Sequence, residues 1–220
     1  MVKDDLLVPV RNYLNSIRVN DCPVLKSFTC NGTGYRVFIQ HMVPATRLLI
    51  VGGGNDVQPL VTLAKLLGWE VIIADRRPAH VLKARFPSAD QVIEYETGNI
   101  SSNVAVDRYT VTVLMTHNYN DDLAALKEFV ITCTPYIGIL GPSKKRKRML
   151  LDVGNDGFIV TNEQMQKIFG PAGLDIGAET PEEIALAIVS EIKKTLTGFT
   201  GMRLRDKKVP IHYSALSNVA

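Results

Sequence analysis

From residue 46 onward, short apolar runs alternate with amphipathic stretches. The segments RLLIV (47–51), EVIIA (70–74), QVIEY (91–95), TVTVLM (110–115) and YIGIL (136–140) are rich in β-branched residues and nearly unbroken in apolar character. Strands of this kind are buried on both faces, as in a parallel sheet covered by helices. Between the first two, VQPLVTLAKLLG sets Val57, Leu60, Val61, Ala64 and Leu67 on one stripe and stops at Gly68, a residue suited to the left-handed end of a helix. YNDDLAALKEFV repeats the pattern with Leu123, Leu126 and Val130. In TPEEIALAIVSEI, Thr180 and Glu183 form a capping box, Pro181 takes the first helical position, and Ile184, Ile188 and Ile192 make the buried stripe. The predicted class is α/β: a doubly wound, mostly parallel, Rossmann-like sheet over residues 46–200.

The flanks follow other patterns. Residues 1–45 contain FTCNGTGYRVFIQHMVP, which predicts a hairpin turning at Asn31 to Gly34. They are expected to form a short β appendage packed on the edge of the sheet. Residues 201–220 show no period and are expected to be a tail or an arm reaching a neighbouring subunit.

Composition adds bounds rather than chemistry. At 220 residues and 46% hydrophobic content, the chain can bury roughly 70% of its unfolded surface. A net charge of +3 with 21% charged residues of both signs gives no general pull toward nucleic acid. No apolar run reaches the roughly 18 residues of a membrane span. The start MVKDDLLVPV lacks the apolar core of a signal peptide, and Cys22, Cys30 and Cys133 lack C-x-x-C spacing. A cytoplasmic protein with reduced thiols is expected, and nothing marks those thiols as reactive.

Four segments carry candidate chemistry. In VGGGND, Gly52 and Gly54 fit the first two places of the dinucleotide fingerprint G-x-G-x-x-G, and Asp75 ends the next strand, where an acid binds a ribose hydroxyl; the third place, however, is Val57. Pro59 fixes the helix start near Asn55 or Asp56. A carboxylate at Asp56 would cap that helix and repel a phosphate, so the turn is either structural and self-capped or a contact for a ligand that need not be a dinucleotide. In MTHNYNDD, Thr116 and His117 fall at the carboxyl edge of the sheet. There His117 serves as a proton donor, a phosphate contact or a metal-adjacent base, or else Asn118 or Asn120 caps the next helix and His117 only satisfies a loop carbonyl. No metal site is predicted. In GPSKKRKRML, cations crowd a helix start, which is unfavourable unless an anion offsets them. Ser143, Lys144 and Lys145 are the candidate anion contacts, against a solvated basic face. Finally PAGLDIGAE, with Gly173, Asp175, Gly177 and Glu179, is either a packed loop or a ligand lid.

Taken in order, LLIVGGGNDVQPLVTLAKLLGWEVIIADRRP, RFPSADQVI, MTHNYNDDLAALK, PYIGILGPSKKRKRML and GLDIGAETPEEIALAIVSEI resemble the C-terminal Rossmann-like domain of the xanthine dehydrogenase accessory factor family (XdhC and CoxI). The resemblance runs from about residue 35 to residue 200. It implies a largely non-enzymatic factor that binds molybdenum cofactor (molybdopterin), aids its sulfuration and delivers it to a molybdenum hydroxylase apoenzyme, with a cysteine desulfurase as a further partner and a homo-oligomeric state. It also implies one cleft formed by Gly52, Gly54, Asn55, Asp75, Thr116, His117, Ser143, Lys144 and Lys145. Full-length members carry an additional N-terminal domain, whereas about 45 residues precede the Rossmann part here. Either a separate polypeptide is expected to supply that half, or the chain keeps a nucleotide-binding role alone. The alternatives are an NAD(P)-dependent oxidoreductase, an NAD(P)-binding regulatory protein and, last, an S-adenosylmethionine-dependent methyltransferase.

Overall fold

The computed structural model describes residues 4–16, 23–40, 42–96 and 98–208. The chain divides into two compact units, residues 1–44 and 45–220. In the first, α1 (Asp4–Ser16) accompanies a hairpin of β1 (Val24–Cys30) and β2 (Thr33–Ile39). The strands pair antiparallel from Val24 with Ile39 to Cys30 with Thr33. The connecting residues Asn31 and Gly32 have φ of 50° and 76°, the mirror-image turn whose twist matches a two-residue hairpin. Gly34, expected in the turn, lies within β2. Tyr13 of α1 meets Phe28 edge-on at 6.0 Å, which ties helix to hairpin. The pattern of the sequence did not disclose this helix, because Pro9 interrupts its middle.

The second unit contains β3 (Arg47–Val51), α2 (Val57–Leu66), β4 (Glu70–Asp75), β5 (Gln91–Glu94), β6 (Thr110–Leu114), α3 (Tyr119–Val130), β7 (Ile137–Ile139), α4 (Ser143–Asn155), α5 (Asn162–Gln166), β8 (Ile168–Phe169) and α6 (Pro181–Thr197). Six strands form one sheet in the order β5-β4-β3-β6-β7-β8, and every pairing in it is parallel. Alternate strand residues feed two cores, as the period of two requires. Leu48, Ile50, Val71, Ile73, Val111 and Val113 pack with α2 and α6. Leu49, Val51, Ile72, Ala74 and Leu114 pack with α3 and α4. Between β4 and β5 the chain makes only two 3₁₀ turns, Pro78–His80 and Lys83–Arg85. Among the described residues no helix is long and apolar enough to cross a membrane. The part of the tail beyond residue 208, and Cys22, lie outside the described residues.

Candidate functional site

The strand order locates a crevice before any side chain is considered. From β3 the chain proceeds to β4 and β5 on one side, and from β6 to β7 and β8 on the other. The neighbours β3 and β6 therefore send their connections in opposite directions, and the space past their carboxyl ends stays open. The turn after β3 and the loop after β6 meet there. Gly52 has φ of 125°, and a Cβ on it would stand 2.3 Å from the Met115 carbonyl oxygen. Its lack of a side chain is needed for the two loops to pass each other.

The loop after β6 is fixed from within. The Thr116 hydroxyl donates to Asp122 Oδ1 at 2.7 Å, and the Thr116 N–H reaches the same oxygen at 3.1 Å. Asn118 caps α3, its side chain accepting from the N–H groups of Asn120 and Asp121. These bonds hold His117 at φ of 59°, a left-handed backbone uncommon outside glycine. Its Nε2 lies 2.8 Å from Asp56 Oδ2. Asp56 stands at the N-cap position of α2, but its side chain makes no capping bond. The expected self-cap is thus corrected: the carboxylate turns away from its own helix toward His117, 61 residues further along the chain.

Asp56, His117, Leu140 and Gly141 line a cleft of about 740 Å³, whose far wall is the loop Pro171 to Ala178. That wall is stitched down. The Ala172 N–H donates to the Ile139 carbonyl at 3.1 Å and the Leu174 N–H to the Ala187 carbonyl at 3.1 Å. Gly173 N–H donates to Glu191 Oε2 at 2.9 Å, and that oxygen also accepts from the Tyr136 hydroxyl at 2.7 Å. Burial, then the adjacent Glu191 carboxylate, push the Tyr136 phenol well above its ordinary pKa. It remains a donor at every working pH. The PAGLDIGAE segment is both packed and part of the cleft.

The other expected site residues serve different ends. Asp75 is 2% exposed. Its Oδ2 accepts from the Gly53 N–H at 2.7 Å and from Arg77 Nη2 at 2.6 Å, while Oδ1 accepts from the Arg77 N–H and Nε. Burial alone would raise its pKa, but the Arg77 side-chain and main-chain donors and the Gly53 N–H outweigh it and leave the carboxyl below its ordinary value. Arg85 straps the glycine turn by donating to the Gly53 carbonyl and to Asn55 Oδ1, both at 2.8 Å. Asn55 and Asp75 therefore belong to a brace on the β4 side. Thr116 serves the loop. Lys145 turns inward to pair with the fully buried Asp122 and to donate to the Leu140 carbonyl. It is withdrawn from the anion site expected of it. Arg146 packs on Gly170, and Arg148 covers the Tyr119 ring at 4.6 Å. Ser143 and Lys144 remain exposed in the first turn of α4.

Of the expected residues, His117 lines the cleft, with Gly54 beside Asp56 and His117 and with Ser143 and Lys144 following Gly141 in the chain. Asp175, named in the segment weighed as a ligand lid, lines it, as do Asp56 and Gly141. A fold-back loop rich in glycine and unexplained by the following helix was the available signal for Asp175. A cleft of about 710 Å³ between α2 and α6 adjoins the crevice through Asp56 and is lined by Asn55 as well, a small cavity of about 90 Å³ lies beneath Asp56, Met115 and Leu140, and a cleft of about 630 Å³ lies apart around Cys133 and Lys167.

Comparison with known proteins agrees with this architecture. A protein of Bacillus subtilis (strain 168) named as a probable xanthine dehydrogenase subunit is 35% identical over 159 residues, 72% of this chain and 46% of that protein. The uncharacterized protein YqeB of Escherichia coli (strain K12) is 28% identical over 161 residues, 73% of this chain and 29% of that protein. A crystal structure of a xanthine dehydrogenase from Bacillus halodurans superposes with a TM-score of 0.64 at 25% identity, over 90% of this chain and 52% of that one. The chain therefore spans about half the length, or less, of these relatives. The family profile of the XdhC Rossmann domain matches residues 48–192, and through that domain the chain belongs to the XdhC family.

Proposed function

We propose that this chain is an accessory factor for a molybdenum hydroxylase of the xanthine dehydrogenase type, and that its crevice receives the pterin of the molybdenum cofactor as cargo. The observation that carries this is convergence: THNY, ILGPS and GLDIGAE, distant in sequence, all contribute residues to one cleft. Its volume of about 740 Å³ falls in the range of small-molecule sites, roughly 300–1,000 Å³. A pterin is a flat ring with a donor edge formed by its 2-amino group and N3–H. Leu140 and Ile184 offer apolar surface, and Asp175 on the wall offers the carboxylate that such an edge requires. The phosphate tail suits the start of α4. Its N-cap residue Pro142 has no capping side chain, which leaves the N–H groups of Ser143 and Lys144 free for an anion beside the exposed Lys144 ammonium. The cargo's chemistry belongs to the enzyme that receives it. The recipient is a cytoplasmic apoenzyme, with a cysteine desulfurase as the source of sulfur.

Thermal shift and anaerobic equilibrium dialysis with molybdenum cofactor, NAD, NADP and S-adenosylmethionine test this. Molybdenum cofactor is expected to bind, and Asp175→Ala to weaken it by about tenfold through loss of a charge-assisted hydrogen bond. A shift with NAD alone, accompanied by hydride transfer, would remove the proposal.

A further inference from the structure

We propose that Asp56 is a built-in occupant of the diphosphate seat of this Rossmann turn, and that it is the residue turning the domain away from dinucleotides. In turns of this class the second glycine leaves room for a pyrophosphate to approach the backbone. Here that residue is Gly54, and a Cβ on it would stand 2.4 Å from Asp56 Oδ1. The carboxylate is already in that room. It is also an anion beside the start of α2, held by His117 rather than by the helix N–H groups, so a phosphate entering there would meet a like charge.

His117 holds it there at 2.8 Å. The rest of the dinucleotide grip is closed as well. Val57, in the place of the third glycine, is fully buried, so strand and helix are separated by a side chain. Asp75, in the place of the ribose-binding acid, has both oxygens taken by Arg77 and Gly53. Of Asp56, Val57 and Asp75, Asp56 is the one outside the core: its side chain is 27% exposed against 2% for Asp75. Removing it uncovers the seat while leaving the core intact, and frees the His117 ring to donate to an entering phosphate. The inference holds whether or not the neighbouring cleft takes a pterin.

The full chain is titrated with ADP-ribose by calorimetry and with NADH by fluorescence, at low ionic strength, as wild type, Asp56→Ala, Asp56→Asn and His117→Ala. Asp56→Ala is expected to bind ADP-ribose more tightly than wild type by about tenfold, the size of one favourable helix-terminus contact. Asp56→Asn, which keeps the volume and loses the charge, is expected to gain less, and His117→Ala to gain nothing. Equal affinity of wild type and Asp56→Ala overturns the assignment. Circular dichroism melts establish that each variant is folded; should Asp56→Ala not fold, absence of any gain in Asp56→Asn overturns it equally.

Discussion

Lys145 shows how far one residue's role depends on its surroundings. In the sequence it belongs to a run of five cations, Lys144 to Arg148, and the adjacent Lys144 is solvent-exposed. Yet Asp122 is wholly buried and already holds Thr116, so its second oxygen needs a cation, which Lys145 provides. Taking away one partner of a buried pair leaves the other uncompensated, at a cost of about 3–5 kcal/mol. Urea denaturation of Lys145→Ala is therefore expected to show a loss near the lower end of that range, since Thr116 still donates to Asp122. Lys144→Ala is expected to stay within about 0.5 kcal/mol of wild type. Equal stabilities would mean that the Lys145 pair contributes nothing. The Asp56 carboxylate makes the same point: its position at the head of a helix suggests a cap, and a histidine from another loop claims it.

At the level of elements, local signals were legible wherever the interaction is local. The stripes of α2, α3 and α6, the stop at Gly68, the Asn118 cap and the Thr180–Glu183 box all join residues within a few positions of one another, although Leu67, expected on the α2 stripe, lies past the end of that helix and is exposed. Elements held by distant partners were not. The strand β8 has two residues, Ile168 and Phe169, and exists because β7 offers it an edge and Tyr136 stacks on Phe169 at 4.5 Å. The wall of the cleft is a further case. Glu191 of α6 accepts from both Tyr136 and Gly173, which anchors a loop whose own sequence only announces that it can bend. Glu191→Ala leaves a buried hydroxyl and a backbone N–H unpaired, at about 1–3 kcal/mol. Hydrogen exchange at the Gly173 and Leu174 amides is expected to quicken in this variant, while α2 amides keep their protection. Unchanged exchange at the wall would show that the loop is held by other contacts.

For the whole molecule, depressed carboxyl groups set the acid limit of stability. Asp75, Asp90 and Asp107 all titrate below their ordinary value: burial opposes this in each, and hydrogen bonds to Arg77, to Lys65 and to Thr110, respectively, outweigh it. The folded chain thus binds fewer protons than the unfolded chain around those pKa values. Their contribution is complete above the ordinary carboxyl pKa of about 4 and is lost as pH falls through the lower folded-state values. Denaturation midpoints measured between neutral pH and the acid limit are expected to be level at first and then to fall below about pH 4. In Asp75→Asn the acid decline is expected to be shallower, with Asp90 and Asp107 supplying the remainder. An identical slope in the variant would remove Asp75 from the account.

The sequence by itself determined the α/β class, five of the six strands of the main sheet and most of the helices between them, because period and capping are properties of neighbouring positions. Tertiary structure decided the order β5-β4-β3-β6-β7-β8 and so the place of the crevice. It decided, too, which polar groups at that edge are left for a ligand. Asp75, Thr116 and Lys145 were drawn into bonds with Arg77, Asp122 and the glycine turn, while His117 and the wall loop stayed at the opening. That division is beyond local pattern, since a polar side chain takes whichever partner the fold brings within hydrogen-bond distance, and here the partners of His117 and Lys145 lie 61 and 23 residues away.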